Sequence, residues 1–173
     1  VWSYISANKG FVKRIMDYIS FSITALLFSI QIKCDIIIST SPQFFTAIAG
    51  MFLSKIKSKP WIMEIRDLWP ESIIAVGAMK NKKIIRFLKW LAIKCYNSAD
   101  LLISVTDSFK KIIVTKGISA SKISVVKNGA NLKLYIPQLK DSSFIKDNKL
   151  EGKFVVGYIG TLGMAHSLDF IIE

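Results

Sequence analysis

Residues 35–65 read DIIISTSPQFFTAIAGMFLSKIKSKPWIMEI. Two short runs rich in branched apolar residues, 35–39 and 60–65, enclose a segment, 43–57, in which Phe44, Ala47, Ile48, Met51 and Phe52 recur at helical spacing. Strand, helix and strand joined by short polar turns make a βαβ unit, and the crossover helix lets the two strands run parallel. The strand runs are continuously apolar rather than alternating, which predicts burial on both faces of the sheet.

The same alternation continues outward from this unit. Runs at 100–105 (DLLISV), 122–126 (KISVV) and 153–159 (KFVVGYI) read as three further strands. Helices are expected over 11–32, 81–97 and 106–116. In the second of these, Ile84, Leu88, Leu91 and Cys95 share one face, while Lys82, Lys83, Arg86, Lys89 and Lys94 supply charge. Thr106 reads as the N-cap of the third, and Gly117 as the left-handed residue that closes it. The expected fold class is α/β, a Rossmann-like, doubly wound parallel sheet. The stretch 138–152 is polar, follows neither period and reads as a linker. The expected organisation is therefore a first domain over 1–137, a linker over 138–152, and the start of a second domain over 153–173. The chain begins at Val1 rather than Met and ends inside a young helix, so a piece of a longer polypeptide is expected.

Half of the 173 residues are hydrophobic, which excludes a disordered chain. Lys and Arg number 24 against 12 Asp and Glu, a formal charge of +12. Such a surplus points to an anionic partner or to a plain solvated surface. Cys34 and Cys95 lie far apart in apolar segments, with no Cys-x-x-Cys, and read as buried thiols of a reducing compartment. Residues 18–32 carry no charge, but 15 residues fall short of the roughly 20 that a spanning helix needs. A buried or interfacial helix is expected there.

In open parallel sheets, ligands bind beyond the carboxyl ends of the strands. Five polar clusters follow the five strand runs: 39–43, 66–71, 106–108, 128–131 and 160–163. The cluster Arg66-Asp67-Leu68-Trp69-Pro70-Glu71 mixes charge, a large aromatic and a proline, and polar-loop composition explains it poorly. Gly160-Thr161-Leu162-Gly163, before a helix expected from Ala165 onward, would present backbone N–H groups to an anion. It is neither G-x-G-x-x-G nor a P-loop. His166 is the only histidine, and no metal-ligand cluster or nucleophile elbow is present in the sequence.

Five stretches, 35–50, 59–79, 99–111, 122–135 and 153–169, taken together, resemble glycosyltransferase family 4, most closely its WbuB-like branch from O-antigen, capsule and colanic-acid pathways. EIRDLWPES (64–72) and GYIGTLGMAH (157–166) are the specific matches. The resemblance implies a partial GT-B fold: the later part of an N-terminal, acceptor-side domain and the start of a C-terminal, donor-binding domain. It implies a retaining, metal-independent, hexosyltransferase-type enzyme. It implies no cofactor, with a nucleoside-diphosphate sugar as co-substrate. The implied partners are a polyprenyl-linked saccharide acceptor and an anionic membrane surface, at the cytoplasmic face of the cell membrane, with no nucleic acid. Gly160, Thr161, Gly163 and His166 would hold the donor diphosphate. Ser41, Arg66, Asp67 and Glu71 would shape the acceptor side of the cleft. Asn128 and Gly129 would mark the domain junction. The Glu-x7-Glu region of the family is absent, so no catalytic residue is assigned. Thr161 stands where many relatives carry arginine, His166-Ser167 replaces Lys-Gly, Arg66 replaces histidine and Asn131 replaces aspartate. Arginine is no general base at ordinary pH, so the role implied for Arg66 is anion binding. The alternative reading is a non-catalytic basic module for membranes or anions, built on the 81–97 helix. An inactive gene fragment is the further alternative.

Overall fold

The computed structural model describes residues 1–5, 11–41, 43–77 and 79–160, and positions 168 and 170. The chain divides into two compact units between Asn128 and Gly129.

The first unit holds four parallel strands: β1 (Ile37–Thr40), β2 (Trp61–Ile65), β3 (Leu101–Ser104) and β4 (Ile123–Val125). They lie in the order β1-β2-β3-β4, with Ile37 opposite Trp61, Ile62 opposite Leu101, and Leu102 opposite Ile123. The helices are α1 (Phe11–Ile30), α2 (Phe44–Lys57), α3 (Glu71–Ala75), α4 (Lys82–Ser98) and α5 (Asp107–Thr115). This is the expected Rossmann-like α/β arrangement. Several helix ends follow from the sequence. The Thr106 hydroxyl accepts from the Phe109 N–H, the Asn81 side chain accepts from the N–H groups of Lys83 and Ile84, and Gly117 closes α5 with φ of 89°. The Lys57 ammonium donates to the carbonyls of Ile30 (2.8 Å) and Ile32 (2.6 Å), tying the end of α2 to the end of α1.

One core, on one face of the sheet, holds the unit together. Ile37, Trp61, Met63, Ile65, Leu102 and Ile123 meet Phe44, Ala47 and Met51 of α2, Leu88, Ala92, Cys95 and Tyr96 of α4, and Ile113 of α5. Here the strands differ from the expectation of burial on both faces. Residues pointing the other way are half-buried, as at Ile62, Glu64, Leu101 and Ile103, or open, as at Ile38, 63 % exposed. The reason is topological. Right-handed crossovers that always step in the same direction put every crossover helix on the same face.

Two helix faces also differ in detail. In α2, Phe52 is exposed and Gly50 takes its place in the core; in α4, Ile84 is exposed, while Ala92 and Tyr96 are buried. Gly50 is there because a Cβ would come within 2.5 Å of the Ser39 hydroxyl and 2.8 Å of the Trp61 indole nitrogen. That indole donates to Ser39 Oγ at 2.8 Å, so a fully buried tryptophan leaves no polar atom unsatisfied.

Cys95 is buried and Cys34 only partly so, which corrects the expectation for Cys34. Among the described residues, no helix is long and apolar enough to cross a membrane.

The second unit corrects two expectations. Residues 153–159 form no strand and lie exposed, Phe154 at 94 %. No described strand pairs with them, and an extended apolar run without a ladder has nothing to bond its backbone groups. The stretch expected as a plain linker carries a short helix, α6 (Ser142–Asp147), whose first N–H groups, at Ser143 and Phe144, are capped by the Asp141 carboxylate.

Candidate functional site

Because all four strands are parallel, their carboxyl ends share one edge. Four of the five polar clusters leave from that edge. The fifth, at 160–163, follows no strand: Gly160 is exposed in the second unit, and Thr161, Gly163 and His166 lie outside the described residues.

The first two clusters are tied together beyond the sheet. The Ser41 N–H donates to the Glu64 carbonyl at 2.8 Å, and the Asp67 N–H donates to the Ser41 carbonyl at 3.3 Å. This extends the β1–β2 ladder by a residue on each side. It leaves Ser41 beneath the edge, 1 % exposed, with Arg66 and Asp67 exposed above it. Of the four expected acceptor-side residues, Ser41 is therefore a support and Arg66 and Asp67 are the accessible charges. Trp69 lies flat against Phe44, with ring centroids 6.0 Å apart and planes 7° from parallel. That stack anchors the Arg66–Pro70 loop to the N-terminus of α2, so the apolar residues of the motif hold its charged ones at the edge.

Glu71 begins α3 and reaches Lys116 beyond α5, 2.8 Å away. Its other oxygen, Oε2, is buried without a partner among the described residues, as is Oε1 of Gln43 at the start of α2. Each is an acceptor with unused capacity at this end of the sheet. Lys116 also sits 5.9 Å from the Tyr96 ring. Burial pushes the Tyr96 phenol well above its ordinary value, and the Glu71 carboxylate and then Cys95 push in the same direction. Burial likewise pushes the Cys95 thiol up to about 12, against the weaker pull of Lys55. Neither group is ionised near neutrality, so neither is a nucleophile or base there.

The chain just after β4 is also tied to β3 and to the start of α5. The Val126 N–H donates to the Ser104 carbonyl at 2.9 Å, and Lys127 meets Asp107 at 3.0 Å. The Lys127 ammonium holds the Asp107 carboxyl below its usual range, mainly through their hydrogen bond and then through charge. Asn128 follows, exposed, as the last residue of the first unit, and Gly129 is the first of the second.

Sequence reading missed one contact at this edge. The Thr40 hydroxyl donates to Glu64 Oε2 at 2.7 Å, on the sheet face opposite the core. Both residues lie inside strands, where side-chain direction depends on register, and no local signal marks them. Among the described residues, no group of three or more His, Cys, Asp or Glu is placed to hold a metal ion.

The sequence profile of Glycosyltransferase Family 4 matches residues 6–134. The chain belongs to glycosyltransferase family 4. It is also similar to a protein described as "probable glycosyltransferase WbjE" from Pseudomonas aeruginosa, with 23% identity over 156 residues. That match covers 86% of this chain and 39% of the relative, so the chain spans well under half of the relative's length. The family match covers the whole four-stranded sheet and ends at 134, ahead of α6. The residues of the edge, from Ser41 to Asn128, all fall inside it.

Proposed function

We propose that this family 4 chain is the acceptor-side portion of a glycosyltransferase. It moves a sugar from a nucleoside-diphosphate sugar to a polyprenyl-linked acceptor in cell-surface polysaccharide assembly. The observation that carries the reading is the shared edge, where two exposed charges of opposite sign, Arg66 and Asp67, stand on a loop fixed by the Trp69–Phe44 stack. The Arg66 guanidinium suits the acceptor's diphosphate, because a planar fork of donors matches paired oxygens. The exposed Asp67 carboxylate suits a hydroxyl of the acceptor sugar, since it only accepts hydrogen bonds. The donor diphosphate falls to Gly160, Thr161, Gly163 and His166. The WbuB-like placement, the retaining and metal-independent chemistry, and a position at the cytoplasmic face of the membrane all rest on the resemblance of the motifs.

The test is turnover by the protein as its gene encodes it, with a panel of labelled nucleoside-diphosphate sugars and a polyprenyl-linked acceptor. Labelled lipid is expected, at a rate that a metal chelator leaves unchanged. Replacing Arg66 by Ala removes charge-assisted hydrogen bonds worth about 1.5–3 kcal/mol, so kcat/KM is expected to fall roughly 10- to 100-fold. The absence of transfer from every donor would sink the proposal. It would favour the second reading, a non-catalytic basic module, for which the cation-rich, carboxylate-free sequence of α4 is the specific observation.

A further inference from the structure

Helix α4 has two faces of opposite character. Leu88, Ala92, Cys95 and Tyr96 are buried in the core. On the opposite side, Lys83, Arg86, Phe87, Trp90 and Lys94 recur every three or four residues and form one outward stripe. Trp90 is 55 % exposed and Phe87 57 %. A tryptophan and a phenylalanine at the centre of a solvent-facing helix leave a large apolar area in water, which a purely solvated face does not do. They are also organised: their ring centroids lie 5.9 Å apart at 30°, and the Lys94 ammonium sits 5.3 Å from the Trp90 ring. The helix sequence, KKIIRFLKWLAIKCYNS, holds five cations and no carboxylate.

We propose that this outer face of α4 docks the protein on an anionic lipid surface. Phe87 and Trp90 enter the headgroup boundary, and Lys83, Arg86 and Lys94 pair with lipid phosphates. The inference deepens the membrane-facing part of the function proposed above and gives it a location. Charge complementarity chooses the occupant. A helix whose only charges are positive needs an extended anionic surface, and aromatic rings flanked by cations match the polarity gradient of a bilayer interface. Single-stranded nucleic acid fits less well. Stacking a base needs a free ring face, whereas the Trp90 ring is shared between Phe87 and Lys94. The docked face is turned away from the core, so binding there leaves the sheet and its carboxyl edge undisturbed.

The experiment is co-sedimentation of the protein with vesicles of mixed phosphatidylcholine and phosphatidylglycerol, and with vesicles of phosphatidylcholine alone. Binding is expected to the mixed vesicles and to weaken with salt. Removing both rings (Phe87→Ala with Trp90→Ala) should weaken it about tenfold or more, through the lost apolar contact. Removing the three charges (Lys83→Gln, Arg86→Gln, Lys94→Gln) should weaken it roughly fivefold per cation, about a hundredfold together. All these side chains are exposed, so circular dichroism of the variants should match the parent. Unchanged vesicle binding in both variants would overturn the proposal. So would equal binding to the two kinds of vesicle, or displacement of the protein from mixed vesicles by a single-stranded oligonucleotide. The assay needs no sugar transfer. Stripe-dependent vesicle binding without turnover would leave this inference standing and remove the proposed activity, and turnover without such binding would do the reverse.

Discussion

The two faces of the sheet were built from the same kind of residue and ended differently. Ile37 and Ile38 are neighbours in β1, yet the first is 6 % exposed and the second 63 %. On the packed face, the fully buried Trp61 indole has its partner within the unit, at Ser39. On the open face, the polar pair Thr40–Glu64 stands beside the exposed Ile38 and the half-buried Ile62 and Ile103. An apolar run therefore reports that a strand is suited to burial on both sides, while topology decides which side receives a helix.

That contrast can be broken by mutation, and the largest effect belongs to the packed face. Replacing Trp61 by Ala opens a cavity beneath α2 and removes the partner of Ser39. A loss of about 3–5 kcal/mol in denaturant unfolding is expected. Next comes the alkaline limb of the stability profile, where the buried thiol of Cys95 and phenol of Tyr96 act. Their folded values lie above their unfolded ones, so the unfolded state sheds protons first as pH rises. Their contribution is complete below pH 9 and is lost progressively from there towards pH 12. In the same protein at pH 8, a thiol reagent should label Cys34 and spare Cys95 until the chain unfolds. Early labelling of Cys95 would mean that the packed face opens readily. The smallest effect belongs to the open face: Ile38→Thr keeps a β-branched residue and should change stability by no more than about 0.5 kcal/mol. A loss comparable to that of Trp61→Ala would show that this face is covered in the working protein.

Much of the first unit was legible. The βαβ periodicity of 35–65, the Thr106 cap and the Gly117 stop are local signals, and each formed as the residues imply. The faces of α2 and α4 were less so. Gly50 and Ala92 are core residues because neighbouring elements approach closely there, and small side chains carry no hydrophobic signal of their own. KFVVGYI, at 153–159, has the composition of a strand but pairs with no strand among the described residues, and β-structure depends on non-local partners that a run of residues does not specify. At the edge, Arg66 and Asp67 stand out by the unusual makeup of their motif, and both are accessible. The Thr40–Glu64 contact was invisible because it depends on the register between two strands. The outward stripe of α4 was half-legible: its cations were plain, while the exposure of Phe87 and Trp90 required knowing which face the core takes.

If chemistry gathers at the carboxyl edge of this sheet, a mimic of the acceptor's diphosphate binds there and not at the opposite edge. A short prenyl diphosphate would be titrated into the isotopically labelled protein while backbone amides are followed by NMR. Saturable shifts are expected at Ser41, Arg66, Asp67 and Glu71, with the opposite edge around Lys59, Asp100 and Lys122 unmoved. Shifts confined to that opposite edge, or none at diphosphate concentrations that saturate a related acceptor site, would contradict it.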